Sequence, residues 1–406
     1  MADLNQVVVE HPPRPDHLAG KTFEINMGPQ HPATHGVLRL VLELDGEVVT
    51  RCTPHLGYLH RGVEKIGEHK TFLQFIPYTD RLDYLAPLSS NVGYILAVEK
   101  LMDIEVPERC RLLRVMACEV ARISAHLLWL GTHAIDLGAV TVFFHTFRER
   151  ETLYDLIELM TGTRLTTSYT RVGGLSRDLP DAFMPRLKEW TRGFLPKVDE
   201  FERLLTRNRI WVDRTRGIGI ISRDQAIALG LTGPSLRASG VPHDLRKAEP
   251  YCGYEQFDFE VPYADDGDVY ARYMVRIEEM RQSARILEQA TARLRPGPIW
   301  ADHPKVVPPV KRDVLTNMDE LIHHFMIVAE GMNPPVGEVY HAVEAPKGEL
   351  GFYIVGDGTP NPHRCRVRAT SFMNLQVVPI LAKDQLIADL VAIIGTTDIV
   401  LGEVDR

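Results

Sequence analysis

The chain has 406 residues, of which 45% are hydrophobic and 25% charged, a composition typical of a globular protein rather than a disordered one. The net charge of −8 disfavours nucleic acid as the main partner, because phosphate binding needs a basic surface. The length allows two or three core units, or one large interlocked domain.

The N-terminal third begins with an arm and a small sheet. Residues 1–20 contain three prolines and mixed charge, which predict an extended arm, and they lack the basic and apolar regions of a signal peptide. Residues 21–60 are predicted to form a small β unit, because alternating segments flank Asp45-Gly46, a hairpin signal. Residues 71–335 are predicted to form a helical core from apolar residues at three- and four-residue spacing. Its helices are expected over 109–130, 181–207, 268–294 and 318–329.

The most apolar stretch of the chain is Leu127–His145, which also carries Asp136. A carboxylate facing lipid would be costly, so we expect a buried helix that breaks near Gly138 rather than a membrane span. Residues 336–406 form the last unit, in which 337–369 alternate like strands with glycine turns and 385–395 are helical. The predicted fold class is therefore α+β and mainly α.

Cysteine usage limits the cofactors that the chain can bind. No two of its five cysteines form a Cys-x-x-Cys pair, so the usual local motifs for an iron–sulfur cluster or structural zinc are missing. Scattered thiols are typical of a reducing compartment and predict a cytoplasmic location. The five are Cys52, Cys110, Cys118, Cys252 and Cys365.

Two polar segments lie near the N-terminus. The string GPQHPATHGVLR, residues 28–39, is a loop shaped by proline and glycine that presents His31 and His35. The string PHLGYLHRGVEKIGEHK follows it and has charges at spacings that suit ion pairs on one helix. Taken alone, ordinary turn histidines and solvated helix charges are the alternative explanations. These charges are Arg61, Glu64, Lys65 and Glu68.

Two further segments place polar groups between apolar flanks. PYTDRLDYLAPLSSN contains Arg81 and Tyr84, which when buried need partners or are offered to a ligand. THAIDLGAVTVFF contains Asp136, and a lone buried carboxylate is rare unless it is paired. No G-x-G-x-x-G, Walker loop or G-x-S-x-G occurs, which disfavours dinucleotide binding, triphosphate binding and serine hydrolase chemistry. The residues predict a buried His/Tyr/Asp/Arg site and leave its ligand open.

Nine strings over nearly the whole chain resemble, in order, the 49 kDa (D-type) subunit family of respiratory complex I, the proton-pumping NADH–quinone oxidoreductase. They are GPQHPATHGVLR, LHRGVEKIGEHK, YTDRLDY, FRERE, LTGPSLRASG, RKAEPY, PPVGEVY, KGELGFYIV and GEVDR. That family is related to nickel–iron hydrogenase large subunits, so the resemblance implies a hydrogenase-like helical bundle with small flanking sheets. Hydrogenases hold their metal with two Cys-x-x-Cys pairs. Here Asp83 and Ala86 stand at the early pair and residues 398–403 at the late one, so no metal site is expected.

The resemblance also implies roles for individual residues. Tyr84 and His35 would hydrogen-bond the two oxygens of a quinone head group at the vacated metal site, and Asp136 would pair with His35. A carboxylate stabilises an imidazolium that can yield a proton near neutral pH, and a phenol is a good donor to a developing quinolate. Arg81 would lie beside the [4Fe–4S] cluster of a partner. Thr166-Thr167 stand where relatives are expected to have histidines, so no histidine role carries over there.

The partners follow from the same resemblance. The chain would bind no cofactor by itself, with the cluster in a B-type iron–sulfur subunit and NADH used elsewhere in the complex. C-type and I-type hydrophilic subunits would adjoin it, and an H-type membrane subunit would complete the quinone tunnel. The expected location is peripheral, on the cytoplasmic face of a bacterial inner membrane. Ubiquinone and menaquinone both fit, and a scaffold subunit of a related membrane-bound hydrogenase or ferredoxin-linked complex is the alternative function.

Overall fold

The computed structural model describes residues 22–406, so the predicted N-terminal arm lies outside the described residues. A three-stranded antiparallel sheet comes first, in the order β1 (Phe23–Met27), β2 (Arg39–Asp45) and β3 (Val48–His55). Gly46 turns the chain between β2 and β3 with φ of 62°, which confirms the predicted hairpin. Alternate residues of β2 are buried, as a sheet with one face on a core requires.

Helices make up most of the remaining chain, and a second three-stranded sheet follows them. The elements in chain order are α1 (Val63–Glu68), α2 (Phe72–Thr79), α3 (Pro87–Met102), α4 (Glu108–Asp136), α5 (Val140–Thr161), β4 (Thr170–Arg171), β5 (Gly174–Leu175), α6 (Phe183–Leu205), α7 (Arg209–Thr215), α8 (Arg223–Ala228), α9 (Gly233–Arg237), α10 (Leu245–Ala248), α11 (Val269–Arg293), α12 (Lys311–Val314), α13 (Met318–Ala329), β6 (Gly337–Ala345), β7 (Gly348–Gly356), β8 (Arg364–Arg368), α14 (Thr370–Leu375), α15 (Val378–Ala382), α16 (Ile387–Thr397) and α17 (Leu401–Asp405). This arrangement confirms the α+β, mainly α fold class, while its kinship to hydrogenases stays a prediction.

The predicted long helices are present, with small shifts at their ends. α6, α11 and α13 match the predicted ranges closely, whereas α4 continues past the predicted residue 130 to Asp136. The chain then breaks at Gly138, which has φ of 90°, before α5 begins. The break that the apolar stretch predicted is therefore confirmed. Across residues 22–406, no helix combines the length and the apolar character needed to cross a membrane.

The helix α4 is the central element of the fold. It packs against α3, α5, α11 and α16, so side chains around nearly its whole circumference are buried. The first sheet has a different partner. Its buried leucines share a hydrophobic core with Leu390 and Ile394 of α16. The N-terminal β unit and the C-terminal tail thus pack together, and the predicted domain boundaries stay a prediction.

A network of buried charges joins α4 to the elements around it. Arg237 donates to Glu279 at 2.6 Å and to Glu344 at 2.8 Å, and its side chain is fully buried. Arg246 binds Asp244 at 2.7 Å in the same network. Burial alone would raise the pKa of the Glu279 carboxyl, but Arg237 and a hydrogen bond from a histidine hold that pKa well below its usual range. Each charge therefore depends on its partners to offset the cost of leaving water.

Candidate functional site

A pocket of about 420 Å³ lies where the end of α4 meets the C-terminal segment. His35, Tyr84 and Asp136, the predicted catalytic residues, all line it although they lie far apart in sequence. Its other lining residues are Pro32, Leu85, Leu128, Trp129, Thr132, His133, Ile135, Gly395, Asp398, Ile399 and Val400. The folded chain therefore brings the three predicted side chains to one cavity.

His35 is placed by a short turn. Pro32–Thr34 form one turn of 3-10 helix, and His35 ends it in a left-handed conformation with φ of 55°. Its Nδ1 lies 2.8 Å from the carbonyl oxygen of Ile399. Because a carbonyl only accepts, this contact places a proton on Nδ1 and leaves Nε2 for another partner. Of the two loop histidines, His31 instead caps the turn, its Nδ1 accepting from the Ala33 amide.

Asp136 is the last residue of α4. Burial raises the pKa of its carboxyl, while the positive charge on His35 and on His31 lowers it. Within residues 22–406, no hydrogen bond or ion pair joins Asp136 to His35, so the two interact only at longer range. The direct pairing of these two side chains stays a prediction.

Tyr84 lies in the turn before α3 and is half-buried. Burial and the neighbouring Asp83 raise the pKa of its phenol, so the hydroxyl stays protonated at neutral pH and can donate a hydrogen bond. Gly402 packs against this turn. A Cβ on Gly402 would lie 2.7 Å from the Arg81 carbonyl oxygen and 3.1 Å from the Tyr84 ring, so only glycine allows this approach.

Lys347, which the sequence did not single out, links the early and late segments. It lies in the turn between β6 and β7 with a side chain only 1% exposed. Its Nζ is 3.0 Å from Asp83 Oδ2 and 3.9 Å from Asp398 Oδ2. The two segments that were compared with the hydrogenase cysteine pairs therefore meet at a buried ammonium. The string KGELGFYIV contains this lysine, but nothing local in it indicates burial.

Arg81 lies on the outer side of the same turn. Its side chain is 45% exposed, so the prediction of a buried arginine was wrong. It donates to the Pro77 carbonyl at 2.6 Å, and Arg61 donates to the Arg81 carbonyl at 2.7 Å. Together with Tyr78 they line a second cavity of about 420 Å³. Two guanidinium groups thus form a positive surface close to Tyr84.

The ion pairs predicted around α1 are present only in part. Lys65 binds Glu68 at 2.6 Å, three residues apart as predicted. The rest of the prediction was wrong, because Arg61 precedes the helix and Glu64 accepts from the Val367 amide at 2.9 Å. These residues tie α1 to β8 instead of forming a solvated helix face.

The Thr166-Thr167 loop is attached beside Arg81. The Asp80 carboxylate accepts from the Ser168 hydroxyl at 2.5 Å and from its amide. Thr166 and Ser168 have φ of 54° and 40°, so the carboxylate holds a loop in an uncommon backbone conformation. Burial raises the pKa of Asp80, and the hydrogen bonds from Ser168 lower it.

The cysteines are free thiols, as predicted, and all five are buried. Burial raises the pKa of the Cys52 thiol to about 12, which leaves it protonated at neutral pH. Among the described residues, no three His, Cys, Asp or Glu side chains are grouped to hold a metal ion. The absence of a bound cofactor stays a prediction.

Sequence reasoning also missed part of the pocket wall on α4. Trp129, Thr132 and His133 precede Asp136 by seven, four and three residues, so they share its helix face. The spacing alone was the available signal, and it becomes informative once Asp136 is accepted as a site residue.

An α+β protein with an imidazole, a phenol and a carboxylate around one partly apolar pocket is the class that this geometry defines. Residues 136–406 match the model of the family described as Respiratory-chain NADH dehydrogenase, 49 Kd subunit. The D-type subunit of NADH-quinone oxidoreductase from Methylacidiphilum infernorum is 58% identical over 387 residues, covering 95% of this chain and 93% of the relative. The Geotalea uraniireducens protein of the same name is 55% identical, covering 94% and 98%.

The relationship extends to a further bacterium. The D-type subunit of NADH-quinone oxidoreductase from Chloroflexus aurantiacus that carries the number 2 is 54% identical over 394 residues, covering 96% of each chain. The chain belongs to the family of D-type, or 49 kDa, subunits of NADH-quinone oxidoreductase. It is accordingly a subunit of the multi-subunit oxidoreductase of the respiratory chain that uses NADH and quinone.

Proposed function

We propose that this chain forms the quinone pocket in which the complex reduces quinone to quinol. Tyr84 and His35 would hydrogen-bond the two head-group oxygens, and Asp136 would favour the protonated form of His35. The observation that carries the proposal is the meeting of these three side chains, from three separate segments, around one cavity of about 420 Å³. That volume lies in the usual range for small-molecule sites.

The chemistry of the three side chains suits this reaction. Quinone reduction takes up two electrons and two protons. The Tyr84 hydroxyl stays protonated and can donate to an oxygen that becomes negative as electrons arrive. His35 keeps Nε2 for a second oxygen while Ile399 holds Nδ1. The nearby Asp136 carboxylate makes an imidazolium at His35 more favourable.

The surface beside the pocket suits a membrane partner. Ile135 lies at the pocket, and the adjoining α4–α5 junction exposes Val140 and Phe144, the last with 66% of its surface accessible. We infer that the H-type membrane subunit covers these apolar side chains and continues the path for the isoprenoid tail. This contact would hold the chain at the cytoplasmic face of the bacterial inner membrane as a peripheral subunit.

The positive surface formed by Arg61 and Arg81 suits the electron donor. We infer that Arg81 faces the [4Fe–4S] cluster of the B-type subunit, where a cation stabilises the reduced cluster. The backbone of this turn leads directly to Tyr84, so the cluster side and the quinone side would lie on opposite faces of one turn. C-type and I-type subunits would complete the hydrophilic arm, with NADH oxidised elsewhere in the complex.

Tyr84→Phe tests this function, with Tyr78→Phe as the matched control. Both tyrosines are half-buried, but Tyr78 lines the neighbouring cavity instead of the quinone pocket. Loss of one hydrogen bond to a neutral oxygen costs about 0.5–1.5 kcal/mol, or roughly 2- to 12-fold in kcat/KM. Tyr84→Phe should show this loss in quinone reduction by membranes, while NADH oxidation with a soluble artificial acceptor is unchanged. Equal quinone activities for both variants would contradict the proposal.

A further inference from the structure

His133 is a buried titratable side chain in the pocket that the proposed mechanism does not use. It lies on the last turn of α4, three residues before Asp136, and is 1% exposed. It nevertheless lines the same cavity as His35 and Tyr84. A histidine buried this completely needs either a protein partner or a ligand for its ring nitrogens.

The His133 ring is fixed in place on several sides. It stacks on the Trp129 indole with 5.3 Å between ring centroids, and the Trp211 indole contacts it edge-on at 5.5 Å. Gly395 closes a third side, where a Cβ would lie 2.3 Å from His133 Nδ1. Trp129 is itself held, because its Nε1 donates to the Gly395 carbonyl at 2.8 Å. The ring is therefore held in a defined orientation by aromatic packing.

Neither nitrogen of this ring has a protein partner. Nδ1 and Nε2 of His133 are both buried and make no hydrogen bond to any described residue. Leaving a buried polar atom unsatisfied is costly, so native structures supply such atoms with a partner. Because the ring borders a cavity of about 420 Å³, the partner has room to come from the pocket.

His133 carries no charge at neutral pH. Burial, the Arg276 guanidinium and the positive charge on His35 lower the pKa of His133 to about 3. Arg276 comes from α11 and stacks over Trp129 at 4.2 Å, so a cation borders the ring from that side too. A neutral imidazole has one N–H donor and one acceptor nitrogen. Such a ring suits an uncharged oxygen and would not serve as a proton source.

We propose that His133 is a third binding residue for the quinone, a neutral imidazole that donates a hydrogen bond to a head-group oxygen at the aromatic end of the pocket. The inference rests on the proposed function and deepens it by adding a contact that does not titrate. The oxygen is either a ring carbonyl or an alkoxy substituent of the head group. These two acceptors share the same chemistry, and only the substituent would make His133 a determinant of quinone type.

The experiment compares His133→Phe with His341→Phe in membranes that contain the intact complex. Phenylalanine keeps an aromatic ring against Trp129 and removes both nitrogens. His341 is the matched control, because it is also largely buried with an unpartnered Nε2 but borders a different cavity. KM and kcat are measured with a dimethoxy-benzoquinone and with a methyl-substituted benzoquinone that has no alkoxy group.

His133→Phe should raise KM about 3- to 10-fold with little change in kcat, as expected for a contact made equally in the ground state and the transition state. A rise with both quinones identifies a carbonyl oxygen, and a rise only with the dimethoxy quinone identifies the substituent. Gly395→Ala should raise KM in the same way, because its Cβ displaces the ring. His341→Phe should leave KM unchanged.

An unchanged KM in assembled His133→Phe would overturn the inference. Failure of that variant to assemble, beside normal assembly of His341→Phe, would also overturn it, because the nitrogens would then serve the protein's own structure. Tyr84→Phe separates the two levels of the argument. If it weakens quinone reduction while His133→Phe does not, only the inference about His133 fails, whereas no effect of Tyr84→Phe would contradict the pocket itself.

Discussion

Lys347→Met is the substitution whose outcome the structure predicts in most detail. Methionine has a similar length and removes only the positive charge at the point where Asp83 and Asp398 approach each other. Both carboxylates are almost fully buried, and Lys347 lies 3.0 Å from the first and 3.9 Å from the second. The variant therefore leaves two buried negative charges without their shared cation.

The magnitude follows from these distances. At an effective dielectric constant of 20, the attractions are about 5 and about 4 kcal/mol before the cost of desolvation is subtracted. Removing one partner of a buried pair usually costs about 3–5 kcal/mol in the free energy of unfolding. Arg276 remains 4.0 Å from Asp398 and compensates part of its charge. We therefore expect a loss near the lower end of that range, about 3 kcal/mol.

The loss should depend on pH. In the native chain the carboxylates raise the pKa of Lys347 above its ordinary 10.5 although burial lowers it. The stabilisation by Lys347 is thus fully present below pH 10.5 and disappears only above the raised pKa. In the variant, the two carboxyls bind protons more readily in the folded than in the unfolded chain. Its free energy of unfolding should therefore fall as the pH rises from 5.5 to 8.

The assay is the heat inactivation of quinone reductase activity in membranes at pH 5.5 and pH 8. A loss of about 3 kcal/mol should lower the midpoint by roughly 5 °C, and by more at pH 8. Lys383→Met, at an exposed lysine, is the control and should leave the midpoint unchanged. Asp83→Asn added to Lys347→Met should restore part of the loss. An equal loss at both pH values would refute the account of buried, uncompensated carboxylates.

Three further substitutions have definite expected outcomes. Asp136→Asn removes the negative charge that favours protonated His35, so quinone reductase activity should fall more at alkaline than at acidic pH. Gly402→Ala places a Cβ 2.7 Å from the backbone carbonyl of Arg81, which cannot move aside, so less assembled complex should be recovered on native gels. Arg237→Met leaves buried carboxylates without their cation, and the midpoint of heat inactivation should fall in proportion to a loss of about 3–5 kcal/mol.

Each of these expectations has its own contrary result. Equal activity losses at every pH for Asp136→Asn would argue against its action through His35, while leaving the pocket in place. Normal assembly of Gly402→Ala would mean that the C-terminal turn can shift away from the Arg81–Tyr84 turn. An unchanged midpoint for Arg237→Met would show that the buried network contributes no net stability, as some buried ion pairs do.

The sequence by itself determined the local elements of this protein. Hydrophobic spacing predicted α6, α11 and α13, and Asp45-Gly46 predicted the first hairpin, because both signals act over only a few residues. The break near Gly138 followed from the cost of a carboxylate in lipid. Characteristic strings then led to the family and, through it, to His35, Tyr84 and Asp136 as candidates.

Only the tertiary structure decided which residues meet. The burial of Lys347 depends on the approach of Asp83 and Asp398, which are separated from it by long stretches of chain. The exposure of Arg81 and the enclosure of His133 between two indoles are likewise set by packing between elements. Periodicity reports which face of an element is apolar, whereas the charge that balances a buried ammonium comes from another element altogether.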